Sequence, residues 1–331
     1  MKNALITGIF GQDGSYLAEL LLSKGYKVFG LAHSENNIER IENIKNNPDF
    51  EVIYGDICNG DETEKLIKNT APNEIYNLAA LTNVSNSFTD PVNTANTNAI
   101  GTLNVLEGIK KSSEADKIKF YQASSSKLFA QSNSILNENS PFVPESPYAC
   151  AKLYAYWITV IYRNTCKIFA SNGILFNHES KRRGEDFVTK KITTEAVKIK
   201  AGIKDKIYIG NLSSKRDWGH SKDFVNAMWK ILQHTEPDDF VISTGIATTV
   251  REFCERVFEK LDIPIFFEGE GTEEKGYLKS NGKCVVEVLP QLYKPTDCLY
   301  GDSSKARKLL NWDCKYTIDD IIEEMIESAE I

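Results

Sequence analysis

The chain has 331 residues, room for about two domains at ~150 residues each, and enough length to bury a core without disulfide or metal staples. Hydrophobic residues make up 41% and charged residues 26%, which excludes disorder, coiled coil and collagen. Lys and Arg number 39 against 46 Asp and Glu, a net charge of −7, so no nucleic-acid partner is expected. No apolar run nears the ~18 residues of a membrane span, and the opening MKNALITG has no signal-peptide pattern. A soluble, cytoplasmic protein without a membrane partner is expected.

The first elements alternate. Ala4-Leu5-Ile6-Thr7 predicts a short buried strand, and Ser15 to Lys24 carries helical periodicity through Tyr16, Leu17, Leu20 and Leu21. Gly25 ends that helix, and strands are predicted over Tyr26 to Leu31 and Glu51 to Tyr54. Further strands follow at Glu74 to Leu78, Lys119 to Ala123 and Phe169 to Phe176, with helices over Thr94 to Lys111 and Pro147 to Asn164 between them. Strands alternating with helices imply right-handed βαβ crossovers, and so an α/β fold with a doubly wound parallel sheet of Rossmann type. Beyond about residue 180 the order loosens. Helices are expected near 184–202, 221–233 and 249–261, short strands near 207–209 and 240–243, and a terminal helix from Ile318 to Glu327. The division is read as 1–180 for the cofactor domain and 181–331 for a smaller C-terminal α/β lobe, with some chain exchange between them.

Seven cysteines include no CxxC pair, and four histidines show no ligand spacing, so neither a disulfide framework nor a metal site is expected. Gly8, Gly11 and Gly14 lie between the first strand and its helix. Glycine there permits a tight turn and lets backbone N–H groups approach a pyrophosphate at the helix N-terminus. Turns also need glycine, but this position in an alternating chain favours a dinucleotide. At the end of strand two no basic residue appears before Arg40, while Glu35 stands about 20 residues past the last glycine, so NAD is read over NADP.

Tyr148 and Lys152 are four apart on a predicted helix and share one face, and Ser125 follows the strand ending at Ala123. Ser, Tyr and Lys beside a nicotinamide form a proton relay for moving hydride from a carbinol carbon. The ammonium is expected to lower the phenol pKa from ~10 toward neutrality.

The segments TGIFGQDGSYLAELLLSKGY, YNLAALTNVSNSF, SPYACAKLYAYWITVIYR, NGILFNHESKRRGEDFVTKKI and KRDWGHSKDFV resemble those of the GDP-mannose 4,6-dehydratases, a family of extended short-chain dehydrogenases. The similarity runs from residue 1 to about 325. It implies a Rossmann domain whose C-terminal lobe closes over a sugar nucleotide. For the cofactor it implies Gln12 and Asp13 beside the glycines at the phosphates, and Asp56 and Ile57 flanking the adenine. Leu78, Ala79 and Ala80 would line the nicotinamide side, with Tyr148, Lys152, His178 and Arg183 also reaching the cofactor. For the sugar nucleotide it implies Ser125, Asn177, Val188, Lys191, Arg216 and Lys294. A guanidinium fork at Arg216 suits a diphosphate, though it would equally make a salt bridge to Asp217. Lys181-Arg182-Arg183 reads equally as a solvated charge run.

Departures from the resemblance carry the functional expectation. Where it implies Thr-Ser-Glu, this chain has Ser125-Ser126-Lys127, losing the carboxylate that assists removal of the C5 proton and the C6 hydroxyl. Phe10 replaces a Thr, the basic loop after strand two is shortened, and Arg-Pro-x-Glu becomes Lys294-Pro295-Thr296-Asp297. Loss of one positioned acid–base group typically costs ~10²–10⁴ in rate. The expected activity is therefore NAD-dependent oxidation at C4 of a GDP-manno sugar, as in the branch acting on GDP-D-glycero-α-D-manno-heptose for polysaccharide or capsule synthesis. A small 2-oxo acid is the expected second oxidant. Alternatives are a 4,6-dehydratase or 4-epimerase, and an inactive NAD-binding scaffold. The helix carrying Tyr148 and Lys152 continues apolar on more than one face, so a homo-oligomer, dimer or tetramer, is expected through it and the 94–111 helix.

Overall fold

A computed structural model describes residues 1–130, 134–294 and 298–329. The chain begins β1 (Asn3–Thr7), α1 (Gln12–Ser23), β2 (Lys27–Ala32), β3 (Phe50–Tyr54), α2 (Gly60–Thr70) and β4 (Glu74–Asn77). It continues through α3 (Asn86–Thr89), α4 (Pro91–Ala95), a π turn (Asn96–Ile100), α5 (Gly101–Lys111), β5 (Lys119–Ser125), α6 (Pro147–Cys166) and β6 (Phe169–Leu175). These strands, with one later strand, form a seven-stranded sheet in which every neighbouring pair is parallel.

The order across it is β3-β2-β1-β4-β5-β6 and then β11 (Phe240–Ile242) at the far edge, so it reverses between β1 and β4. A parallel sheet is covered on both faces, and that explains the continuous apolar runs. Ala4 and Ile6 pack on one face with Tyr16 and Leu17 of α1 and Phe224 and Met228 of α8 (Ser221–Gln233). Leu5, between them in sequence, points the other way into Leu66, Val105, Leu106 and Ile109 of α2 and α5.

Between β6 and α8 run β7 (Asn177–Glu179), α7 (Val188–Lys200), β8 (Ile207–Ile209), β9 (Lys215–Arg216) and β10 (Trp218–His220). After β11 come β12 (Thr248–Thr249), α9 (Val250–Lys260), β13 (Ile265–Glu268), β14 (Lys275–Leu278), β15 (Cys284–Val288), β16 (Cys298–Leu299), α10 (Ser304–Leu310) and α11 (Ile318–Glu327). The sheet β13-β14-β15-β8 and helices α7, α9 and α11 enclose a second core around Ile192, Phe253, Val257, Val286 and Ile322. The smaller lobe is thus not continuous in sequence, because α8 and β11 return to the large sheet.

Helix starts follow their capping chemistry. Ser146 Oγ accepts the Ala149 N–H at 3.1 Å and Pro147 opens α6, while Thr249 and Thr317 begin α9 and α11 in capping boxes with Glu252 and Asp320. The helix expected from residue 184 begins only at Val188, with Phe187 extended as its N-cap, and Arg182 and Arg183 before it pair with Glu19 and Glu179. Helix α2 has no counterpart in the sequence reading: only Thr63, Leu66, Ile67 and Thr70 of its eleven residues are buried, and its fixed start comes from Asn59 capping Glu62 N. Strands β13 to β15 and helix α10 are likewise short and partly polar.

No helix among the described residues is long and apolar enough to cross a membrane. All seven cysteines are free, and no group of three or more potential ligands among the described residues could hold a metal ion.

Candidate active site

The crevice opens at the carboxyl ends of β1 and β4, where the strand order reverses. Gly8 turns there with φ of 75°, and a Cβ on it would lie 3.0 Å from the Ala79 backbone. A Cβ on Gly14 would lie 2.3 Å from Gly8 O, so only glycine lets the first turn of α1 press against the end of β1. Gly11 caps α1 in an extended conformation with no side-chain bond to the helix. The first N–H groups of α1 are thereby left to face the crevice, an arrangement that fits a diphosphate. Across the gap Thr7 Oγ1 accepts the N–H groups of Leu78 and Ala79, both at 3.0 Å, and donates to Asn77 Oδ1 at 2.8 Å. Leu78, Ala79 and Ala80, all half-buried, form the β4 rim.

Gln12 and Asp13 turn toward β7. Gln12 Nε2 donates to His178 O at 3.0 Å, and Ser180 Oγ donates to Gln12 Oε1 at 2.8 Å. His178 Nε2 lies 2.7 Å from Asp13 Oδ2 and Nδ1 lies 2.8 Å from Phe176 O. Two acceptors for two ring nitrogens suit an imidazolium. Burial alone would lower His178 and raise Asp13, but their mutual attraction wins, moving His178 up and Asp13 down. The pair ties the glycine-rich turn to the strand that leads into the lobe.

Arg182 and Arg183 are not a solvated run. Arg182 bonds Ser15 Oγ at 3.1 Å and pairs with Glu19 over the Tyr16 ring, and Arg183 Nε lies 2.9 Å from the buried Glu179 with its guanidinium over Phe187. Lys181 is the exposed member. Arg40, distant in sequence, donates to Phe10 O at 3.0 Å and so reaches the glycine-rich turn. Asp56 lies past the end of β3, half-buried, its Oδ1 accepting Cys58 N. Ile57 is committed to the core beneath Gly101, leaving its main chain, not its side chain, to meet an adenine.

Ser125 ends β5 in extended conformation, and its Oγ accepts the Lys127 N–H at 3.2 Å. Tyr148 and Lys152 are both buried, one turn apart on α6, which packs on β5. Lys152 Nζ donates to Ala123 O at 3.0 Å, and burial pushes the ammonium down to about 8. The expectation of a phenol lowered by Lys152 is corrected here. Burial raises the Tyr148 phenol above 10, and the groups opposing that rise are the Ser125 hydroxyl and the Arg183 charge. The ammonium is turned to the Ala123 carbonyl.

On the lobe side, Asn177 opens β7 and is paired with Trp218 of β10, two residues after Arg216. Arg216 Nη1 donates to Lys215 O at 2.8 Å. The alternative partner Asp217 is buried and engaged instead with Thr244 N, Thr244 Oγ1 and Gly245 N at 2.7–2.9 Å. Val188 is the first residue of α7, Lys191 Nζ donates to Tyr208 O at 2.6 Å, and exposed Lys294 offers its carbonyl to Asn211 Nδ2 at 2.9 Å. Lys191 thus reaches β8, Asn177 lies in the β7–β10 pair, and Arg216 lies in β9 between Thr248 of β12 and Leu299 of β16. Residues 295–297 of the altered C-terminal motif lie outside the described residues. Sequence reasoning passed over Thr7, Asn77 and Gln122, whose signal was a polar side chain at the end of β1 and of β4 and in the middle of β5.

Comparison with known proteins places this geometry. A family model described as GDP-mannose 4,6 dehydratase matches residues 5–325. GDP-mannose 4,6 dehydratase 2 of Caenorhabditis elegans is 49% identical, covering 99% of this chain and 88% of its own, and the GDP-mannose 4,6-dehydratase of Sinorhizobium fredii is 48% identical over 98% and 95%. The dTDP-glucose 4,6-dehydratase of Bacillus anthracis, solved with NAD, shares the fold with a TM-score of 0.81 at 23% identity, covering 99% of this chain and 96% of that one. With a match running from β1 to α11, the chain belongs to the GDP-mannose 4,6-dehydratase family.

Proposed function

We propose that this protein oxidises C4 of a GDP-linked sugar of manno configuration with NAD and releases the 4-keto sugar without removing water. The observation that carries the reading is Lys127, held in the turn after β5 with its N–H on Ser125 Oγ, where the resemblance implies a glutamate. The names of the relatives support a GDP-sugar substrate, and the glycine cradle supports a dinucleotide. Gly8, Gly11 and Gly14 with the first N–H groups of α1 would hold its diphosphate, and Leu78 to Ala80 would border its nicotinamide. Bound there, the cofactor supplies a hydride acceptor and one positive charge.

With the cofactor's positive charge beside it favouring the phenolate, Tyr148 would take the proton of the C4 hydroxyl and Ser125 would hydrogen-bond that oxygen, while Lys152 fixes the buried end of the site. C4 loses a hydride and its hydroxyl loses a proton, leaving a carbonyl. Dehydration would next require a base for the C5 proton. An ammonium at 127 serves as that base only if its pKa falls by ~3 units, ~4 kcal/mol. The keto sugar is therefore the product, and a small 2-oxo acid is the second oxidant that closes the cycle. A manno-heptose is the favoured sugar on the resemblance alone.

The second reading is a 4,6-dehydratase, favoured by the full-length identity to relatives of that name. Incubation with NAD and either GDP-mannose or GDP-manno-heptose, followed by mass analysis, separates them. Loss of two hydrogens supports the dehydrogenase, and loss of water overturns it. No turnover with either sugar points to a binding scaffold.

A further inference from the structure

Beneath the site a chain of side chains runs from the ends of β1 and β4 to the middle of β5 and to α5. Thr7, Asn77, Thr102 and Gln122 are each 1% exposed. Asn77 Nδ2 donates to Gln122 Oε1 at 2.8 Å and to Thr102 Oγ1 at 3.1 Å, and Gln122 Nε2 donates to Ala123 O at 3.0 Å. The same Ala123 oxygen receives the Lys152 ammonium at 3.0 Å.

The direction of every bond in this chain is fixed from one end. Thr7 Oγ1 accepts two backbone N–H groups, so its single hydrogen must go to Asn77 Oδ1. Asn77 must then present its NH₂ to Gln122, which forces the Gln122 amide oxygen toward Asn77 and its NH₂ toward Ala123 O. A flipped Gln122 would set two donors face to face in a site without water access, at the cost of an unsatisfied buried group. The glycine-rich end of the crevice therefore dictates which group shares the Ala123 carbonyl with Lys152.

We infer that Gln122 is a positioning residue for Lys152: its amide, oriented by Thr7 and Asn77, pins the Ala123 carbonyl and limits how tightly that oxygen holds the ammonium. Both donors aim positive hydrogens at one oxygen, so the amide opposes the ammonium while fixing where it sits. The titratable group one turn from Lys152 on its own helix is Tyr148, and α6 also carries Cys150, Tyr154, Tyr156, Tyr162, Arg163 and Cys166; β5 carries Lys119 and Tyr121, and the turn after it Lys127. Glu107, Lys110 and Lys111 lie on α5. Burial is the influence that acts on Lys152, so the carbonyl contact is the polar interaction available to tune it.

The inference rests on the proposed C4 oxidation only for its kinetic readout. Gln122→Met removes the amide at similar volume. The Lys152 titration, followed by NMR of lysine-labelled protein and assigned with Lys152→Met, is expected to move upward by about one unit, since the whole carbonyl passes to the ammonium. NADH formation from GDP-mannose is expected to fall about tenfold in kcat with KM within about twofold, and the corresponding limb of the pH profile to shift with the titration. Thr70→Val, which removes a buried hydroxyl on α2 outside this chain of side chains, is expected to keep the wild-type profile. Where Gln122→Met does not fold, Gln122→Asn withdraws the amide by one methylene and is expected to give the same shift. An unmoved Lys152 titration in either folded variant overturns the inference. Absence of turnover in the wild type counts against the proposed function alone, since the titration needs no substrate.

Discussion

Under the proposed C4 oxidation, a single side chain would decide the fate of the 4-keto sugar. Lys127 occupies the turn that leaves β5 beside Ser125, so a carboxylate placed there would sit next to the reacting sugar. Lys127→Glu is expected to convert a product lacking two hydrogens into one lacking water, at a rate detectable by mass analysis. A wild-type enzyme that already dehydrates would remove the role given to this position. Cofactor choice is also a residue-scale matter. The preference for NAD rests on the absence of a basic residue after β2, yet the fold brings Arg40 back to Phe10 O. Titration is expected to give tighter binding of NAD than NADP. If NADP binds tighter and Arg40→Gln abolishes that, the guanidinium is a 2′-phosphate ligand and the preference for NAD fails. Ser125, Tyr148, Lys152 and the three glycines could be proposed from the sequence because the chemistry expected of them demands fixed spacing within one or two elements. Gln122 was not, because its meaning lies in an amide orientation set 115 residues away in sequence by Thr7.

Elements join the two lobes through charge as well as packing. Glu324 on α11 accepts Tyr16 OH of α1 at 3.0 Å, pairs with His220 at the end of β10, and lies 3.8 Å from Lys222. Burial alone would raise its carboxyl, but His220 and Lys222 hold it down at about 2. The folded pKa is thus below the unfolded value of about 4.5, so this linkage stabilises the fold fully above pH ~4.5 and is lost as pH falls toward 2. Glu324→Gln is expected to flatten the acid limb of stability against pH in that window, measured by urea unfolding at several pH values. It is also expected to cost about 1–3 kcal/mol at neutral pH, since a buried His220 loses its partner. An unchanged acid limb would show that α11 is held by its apolar face alone. That face, Ile321, Ile322 and Met325, was legible from periodicity, whereas α2 and the β13–β15 strands were not. Their apolar residues are too few to set a period, and tertiary packing fixes them.

At the scale of the whole molecule, the face of α6 opposite the site is left uncovered. Tyr154, Trp157 and Ile161 are 40%, 50% and 48% exposed, although Ala151, Ala155, Tyr156, Thr159 and Tyr162 on the other side of the helix are buried. Helices α3, α4 and the π turn pack beside α6 and add Phe88, Val92 and Ile100, at 60%, 70% and 40% exposure. Six large apolar side chains on adjacent helices are more than the scattered exposure normal for a monomer. A second copy, presenting the same helices about a two-fold axis, would bury this strip against itself. The expected state is therefore at least a dimer at micromolar concentration by light scattering. Trp157→Glu with Ile161→Glu is expected to give a folded monomer, its far-ultraviolet circular dichroism unchanged, because both positions lie on the solvent side of α6. Since Tyr148 and Lys152 share that helix, dissociation is also expected to lower turnover more than NAD binding. A wild-type monomer, or a double variant that still pairs, would remove α6 from the interface.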